Sequence, residues 1–346
     1  MKSGRATNPG SGSITDVPGI EVGSAQNGEA LTGCTVIIVR KGAVAGVDVR
    51  GSAPGTRETD LLNPINLVQK VHAILLAGGS AFGLDAAAGV MRYLEEQKIG
   101  FNAGVARVPI VPAAILFDLS IGDENIRPNA EMGYEACLAA SKSAPPEGNF
   151  GAGTGASVGK LFGPSLATKS GLGSASIRTG GVVVGALVAV NAFGDVIGYK
   201  NGEIIAGLRS GKVGSIRVGG KEYFADTLEM MKRRLGQTLP GLTIRSNTVI
   251  GVIATNVKLT KSEATKVAQM AHDGLARTVR PAHTMLDGDT IFALSTGNKN
   301  ADVTLVGSCA AQVMAHAIVR AAMLAKSAGG LPGIGEQGSD NQATGF

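Results

Sequence analysis

Short, almost wholly apolar runs recur along this chain, at Thr35–Arg40, Ala43–Val49, Ala73–Ala77, Val108–Phe117, Gly181–Asn191, Val249–Ala254 and Thr290–Ser295. Their length and β-branched content read as strands. Among them lie stretches with helical periodicity, at Ser80–Gln97, Lys261–Val279 and Ala301–Lys326. The second opens on Thr260-Lys261-Ser262-Glu263, a capping box in which the Thr hydroxyl and the Glu carboxylate each satisfy an orphan backbone N–H. These helices are rich in Ala, as expected where a helix presses closely on a sheet. The alternation predicts one α/β domain with sheet layers between helix layers.

Composition narrows the choice. Aromatics are 4% and Trp is absent, so the core is built from Ala, Val, Ile and Leu. The 51 glycines follow no strict repeat, which excludes collagen and points to tight turns and close backbone approaches. The net charge is +5, and the densest basic run is Lys232-Arg233-Arg234. Without aromatics along a basic face, that run reads as a solvated helix end, so no nucleic-acid partner is expected. Cys34, Cys137 and Cys309 are far apart and in apolar surroundings, which suits buried free thiols in a reducing compartment. The first residues, MKSGRATNPGSG, carry no apolar signal-peptide core, and no apolar run approaches a bilayer span. A cytoplasmic protein that is not membrane-bound is the expectation. Residues 1–13 and 327–346 are polar and Gly-rich and read as mobile arms.

Two glycine loops resemble phosphate cradles and fail as such. Gly151–Lys160 has Thr154 where a P-loop requires Gly, and Leu161 where it requires Ser or Thr. Gly78-Gly79-Ser80-Ala81-Phe82-Gly83 follows a strand, but Ser80 occupies a required glycine position of a dinucleotide loop. The segment His283-Thr-Met-Leu-Asp287-Gly-Asp289 could offer ligands to a cation, yet no further ligands recur at helical spacing. It reads equally as a turn opening a strand. Neither a metal nor a cofactor is expected. By spacing alone, Arg245–Asn256 is a polar loop followed by a buried strand with Thr248 at its head, and Thr there is ordinary.

Taken together, these segments resemble one family. Ile14–Gly23, Ala77–Leu84, Val108–Asp118, Gly151–Lys160, Asn247–Asn256 and Asp287–Thr290 match, in order, the self-processing aminopeptidases that include L-aminopeptidase/D-esterases, β-peptidyl aminopeptidases and nylon-oligomer hydrolases. The resemblance spans about residues 14–325 and is strongest to the nylon-oligomer branch. It implies two stacked sheets flanked by helices, an αββα sandwich layered like the N-terminal-nucleophile hydrolases but connected differently. It also implies self-cleavage of the Asn247–Thr248 bond into residues 1–247 and 248–346, with Thr248 as nucleophile and Lys160, Asn191, Asp287 and Asp289 beside it. Phe117, Gly79 and Ser80 fall at substrate-binding positions. A homotetramer of processed protomers acting on small molecules or short peptides is implied as well. The chain departs from the family in two ways. The peptidyl-aminopeptidase branch has a Ser nucleophile and a Ser-x-Glu pair in place of Asp287-Gly-Asp289, and nylon hydrolases carry Tyr where this chain has Phe117.

The chemistry is consistent with these parts. A freed Thr248 would carry its own α-amine, of unperturbed pKa about 7.7–8.0, able to act as base near neutrality. Lys160 would hold that amine neutral, Asn191 would donate to the oxyanion, and the two Asp residues would orient the nucleophile. Two other readings remain at this point: an acyltransferase of the ornithine-acetyltransferase type, and an unprocessed binding or scaffold protein.

Overall fold

One strand runs through both sheets. Strand β1 (Glu21–Asn27) pairs antiparallel with the first half of β2, which spans 18 residues from Thr32 to Val49. The sequence reading divided β2 at Lys41-Gly42. In the computed structural model, which describes residues 12–214, 216–233 and 247–336, the strand continues, and its pairing register to its neighbour shifts between Ile38 and Ala43. Up to Ala43 β2 pairs within one sheet, and from Val44 to Val49 it pairs within the other.

The first sheet continues through β3 (Val71–Ala77) to β4 (Ala113–Ile115), which lies parallel to β3. Helices α1 (Ala86–Glu96) and α2 (Ala130–Leu138) cover its outer face. The predicted Val108–Phe117 strand is thus mostly extended coil. Pro109 and Pro112 lack the N–H groups a ladder needs, and Arg107–Val108 turn away into a small hairpin. The predicted Ser80–Gln97 helix begins as a 3-10 turn over Ser80–Asp85.

The second sheet runs β5 (Leu172–Thr179), β6 (Val182–Asn191), β7 (Thr248–Val257), then β8 (Thr290–Lys299) and the second half of β2. β7 and β8 are parallel; the connection between them is α3 (Lys261–Ala276), which starts at the expected Thr260–Glu263 capping box. Helix α4 (Val303–Met323) and α3 pack on the outer face. By length and hydropathy α4 could cross a membrane, but 72% of its apolar window is buried in the protein, as in a core helix. Its backbone sits so close to β5 that a Cβ on Gly173 would come within 2.1 Å of the Ala317 carbonyl oxygen. That contact is one reason this core is made of Gly and Ala.

Side-chain alternation sorts the core into layers. In β7, Val249 and Ile253 face the α3/α4 layer, whereas Ile250, Val252 and Ala254 meet Ile37, Ile74 and Leu76 from the first sheet. Two sheets therefore stack face to face with helices outside, the predicted αββα order. Residues 327–336, expected as part of a mobile tail, are packed down: Leu331 is buried with Leu31, Ile121 and Ala167, and Lys169 N–H donates to the Pro332 carbonyl at 2.9 Å. Ser13, expected in the N-terminal arm, is likewise buried, with its N–H donating to Asp16 Oδ2 at 3.1 Å; predicted arm residues 1–11 and 337–346 lie outside the described residues. Cys34, Cys137 and Cys309 are buried free thiols.

Candidate active site

The site lies where the inter-sheet layer ends. Thr248 is the first residue of β7 and Asn191 the last of β6, and the two are direct partners across the antiparallel ladder. Both share the side-chain parity of the inter-sheet residues Ile250 and Ala189. Thr248 and Asn191 are each 1% exposed.

Lys160 follows the glycine loop, whose main chain is fixed to the far end of β6 by Lys160 N–H to Phe193 O at 3.0 Å. Its ammonium donates to Asn191 Oδ1 at 2.7 Å and to Asn191 O at 2.9 Å. Asn191 Oδ1 also accepts Ser157 N–H at 3.1 Å. Asn191 Nδ2 donates to Phe117 O at 2.8 Å, so the expected oxyanion donor has one of its two hydrogens committed to the opposite sheet. Phe117 takes part through its carbonyl, as an anchor for Asn191.

The acidic pair comes from the turn before β8. Asp287 is buried and accepts Thr284 N–H at 2.9 Å, Thr284 Oγ1–H at 2.5 Å and Phe193 N–H at 3.3 Å. Burial pushes its pKa up, Asp289 adds to that, and the three donors oppose it. Asp289 Oδ1 accepts the Val249 N–H at 2.8 Å. The carboxylates that the sequence offered to a cation thus tie this turn to the segment just after β6 and to the head of β7.

The peptide before Thr248 is held as firmly. Asn247 N–H donates to Leu286 O at 2.7 Å, and Asn247 O accepts Gly288 N–H at 2.7 Å. Thr248 Oγ1 lies 2.5 Å from the same carbonyl oxygen. Gly288 cannot be larger: a Cβ there would meet Ala53 O at 2.5 Å and Thr248 Oγ1 at 2.9 Å.

Gly79 and Ser80 spend their backbone N–H groups on the protein itself, at Asp118 Oδ1 (2.7 Å) and Leu116 O (3.0 Å), with φ of +79° and +54°. Gly79 is thereby tied to Asp118, a neighbour of Phe117 that the sequence reading did not single out, and Ser80 to the Leu116 carbonyl. Burial raises the Asp118 pKa, while Gly79 N–H, the Thr32 hydroxyl and the Lys160 charge pull it back. Lys169 was also missed. It is fully buried, and its ammonium donates to the carbonyls of Gly153 and Ala156 in the glycine loop and to that of the adjacent Ser170. Burial lowers its pKa to about 7.

Five polar side chains spread from position 160 to 289 therefore converge on the ends of adjacent strands, within a sheet sandwich: the build of a hydrolase of the aminopeptidase and amidase class. The profile of peptidase family S58 matches residues 12–334, and the chain belongs to that family. It is similar to an uncharacterized aminopeptidase of Mycobacterium leprae, 43% identical with 92% of each chain covered. It is also similar to a 6-aminohexanoate-oligomer endohydrolase of a Kocuria species, 33% identical over 89% of this chain and 85% of that one. Among solved structures, the L-aminopeptidase D-Ala-esterase/amidase of Ochrobactrum anthropi, described as a variant of the Ntn hydrolase fold, superposes with a TM-score of 0.66 at 19% identity. That match covers 92% of this chain and 88% of that one; at such identity it speaks for the fold.

Proposed function

We propose that this protein cuts its own Asn247–Thr248 bond and that the released Thr248 is the nucleophile of an amide hydrolase for short peptides, amino-acid amides or ω-amino-acid oligomers. The observation that carries the reading is the scissile carbonyl itself, whose oxygen receives Gly288 N–H at 2.7 Å while Thr248 Oγ1 stands 2.5 Å away. Attack of Oγ1 on the Asn247 carbonyl carbon closes a five-membered ring, with the developing oxyanion on the Gly288 N–H. The C–N bond then breaks, the hydroxyl proton passes to the Thr248 nitrogen, and water hydrolyses the resulting ester. This leaves a carboxylate on Asn247 and a free hydroxyl and amine on Thr248.

In turnover the α-amine takes the hydroxyl proton, and Oγ1 attacks the substrate carbonyl. Lys160 orients Asn191 through both of its oxygens and adds positive charge, which favours the neutral amine. The remaining Asn191 Nδ2 hydrogen serves the oxyanion. Asp287 and Asp289 supply negative charge that suits a substrate bearing a free amino group, as oligomers of 6-aminohexanoate do. Thr248→Ala tests the reading. The variant should stay full-length and inactive, and Thr248→Ser should keep some processing and turnover. An alanine variant that hydrolyses p-nitroanilides or amino-acid oligomers at the parental rate would defeat the assignment.

A further inference from the structure

Asp289 is gripped from two sides. Oδ1 holds the Val249 N–H, the first peptide N–H after Thr248 in β7. Oδ2 accepts two donors from a single residue, His283: its backbone N–H at 3.2 Å and its ring Nδ1–H at 2.8 Å. The Asp289 side chain is 2% exposed and that of His283 19%. His283 has a φ of +54°, a conformation rare outside glycine but tolerated by His, Asn and Asp. In that conformation main chain and ring converge on one oxygen.

The other ring nitrogen turns away from the reaction. His283 Nε2 is buried without a partner among the described residues, and the ring meets the edge of His272 at 4.9 Å between centroids. His272, from α3, donates Nε2–H to Asp48 O at 3.1 Å, and Arg50 pairs with the Asp48 carboxylate at 2.7 Å. Asp287 lies on the same loop. These are the ionisable neighbours of His283. The arrangement inverts a Ser-His-Asp triad, in which imidazole stands between nucleophile and carboxylate. Here the carboxylate stands between the imidazole and the strand that carries Thr248, so His283 has no nitrogen to offer the Thr248 hydroxyl.

We propose that His283 is a positioning residue, acting through Asp289 to hold the head of β7 in register before and after the chain is cut; this rests on the reading of Thr248 as nucleophile. Cleavage turns Thr248 from a mid-chain residue into a terminus, and termini are ordered only where something ties them down. The clamp from His283 through Asp289 to Val249 N–H is such a tie, one residue beyond the reacting group.

Two substitutions isolate the side-chain donor, because Asn and Gly both suit a φ of +54°. His283→Asn places Nδ2–H where Nδ1–H stood, whereas His283→Gly deletes the donor at no backbone cost. Self-cleavage of freshly made protein and, after maturation, kcat and KM on a 6-aminohexanoate oligomer are the readouts, with Tm as the folding control. His283→Asn should remain within about threefold of the parent, and His283→Gly should be about tenfold or more slower, through kcat. A glycine variant with parental rates overturns the proposal. So does an asparagine variant as slow as the glycine one at parental Tm, which would make the imidazole itself the acting group. If His283→Gly does not fold, the asparagine variant decides alone: a rate within about threefold of the parent upholds the proposal, and a loss of about tenfold or more at parental Tm overturns it. A parent that neither cuts itself nor hydrolyses the oligomer overturns the reading beneath, and is recognised before any variant is compared.

Discussion

Gly288 gives the sharpest test of the self-cleavage geometry, because alanine keeps its N–H and changes only where that N–H can sit. A Cβ at 2.5 Å from Ala53 O and 2.9 Å from Thr248 Oγ1 is inside contact distance at both, so the turn must shift. Its N–H then leaves the Asn247 carbonyl, which it now meets at 2.7 Å. Losing one such oxyanion donor costs about 3–4 kcal/mol, or about two to three orders of magnitude in rate. The assay is the disappearance of full-length protein on a denaturing gel, timed from synthesis at neutral pH, with thermal unfolding run alongside. Gly288→Ala should fold and persist uncut over many parental half-lives. A folded Gly288→Ala protein that cuts itself as fast as the parent would refute the role of this N–H.

Two further outcomes follow from buried titratable groups. Lys169→Met removes three hydrogen bonds; the Gly153 and Ala156 carbonyls keep the N–H groups of Ala156 and Ser170, and the Ser170 carbonyl loses its donor, at about 1–3 kcal/mol for that one group. A lower Tm and slower self-cleavage are expected, although Lys169 makes no hydrogen bond to Thr248; an unchanged Tm in urea or heat would contradict the bracing role. The second outcome concerns acid. Burial, reinforced by the His283 charge and opposed by Asp48, lowers the His272 pKa to about 4. The unfolded chain, at about 6.5, binds this proton first. Stability should therefore fall as pH drops from about 6.5 toward 4, by up to ~3 kcal/mol from this group. His72 and His316, also lowered by burial, act in the same direction. Urea unfolding at several pH values checks this, and His272→Gln should flatten the dependence.

Much of the fold was legible because periodicity and apolar content mark buried strands and amphipathic helices directly. The runs at Gly181–Asn191, Val249–Ala254 and Thr290–Ser295 all became strands of the second sheet. β5, with its sequence Leu-Gly-Ser-Ala-Ser-Ile-Arg-Thr, carries too little apolar signal to read alone; its burial under α4 is a tertiary fact. Likewise Lys41-Gly42 looks like a break and stands just before the point, Ala43 to Val44, where one strand changes sheets. In the site, Lys160, Asn191 and Asp287 are singled out by the family resemblance and not by local pattern, and the structure brings them to the ends of neighbouring strands. Gly288 acts through a backbone N–H, and Asp118 and Lys169 act through partners from other segments. No local pattern announces such roles.

The central claim is tested most directly by the intact mass of the purified protein, with sequencing of any new N-terminus. The account predicts two chains that copurify, residues 1–247 and 248–346, the smaller beginning Thr248-Val249-Ile250-Gly251. A single full-length chain after prolonged incubation at neutral pH, or a mature terminus at any residue other than Thr248, would contradict it.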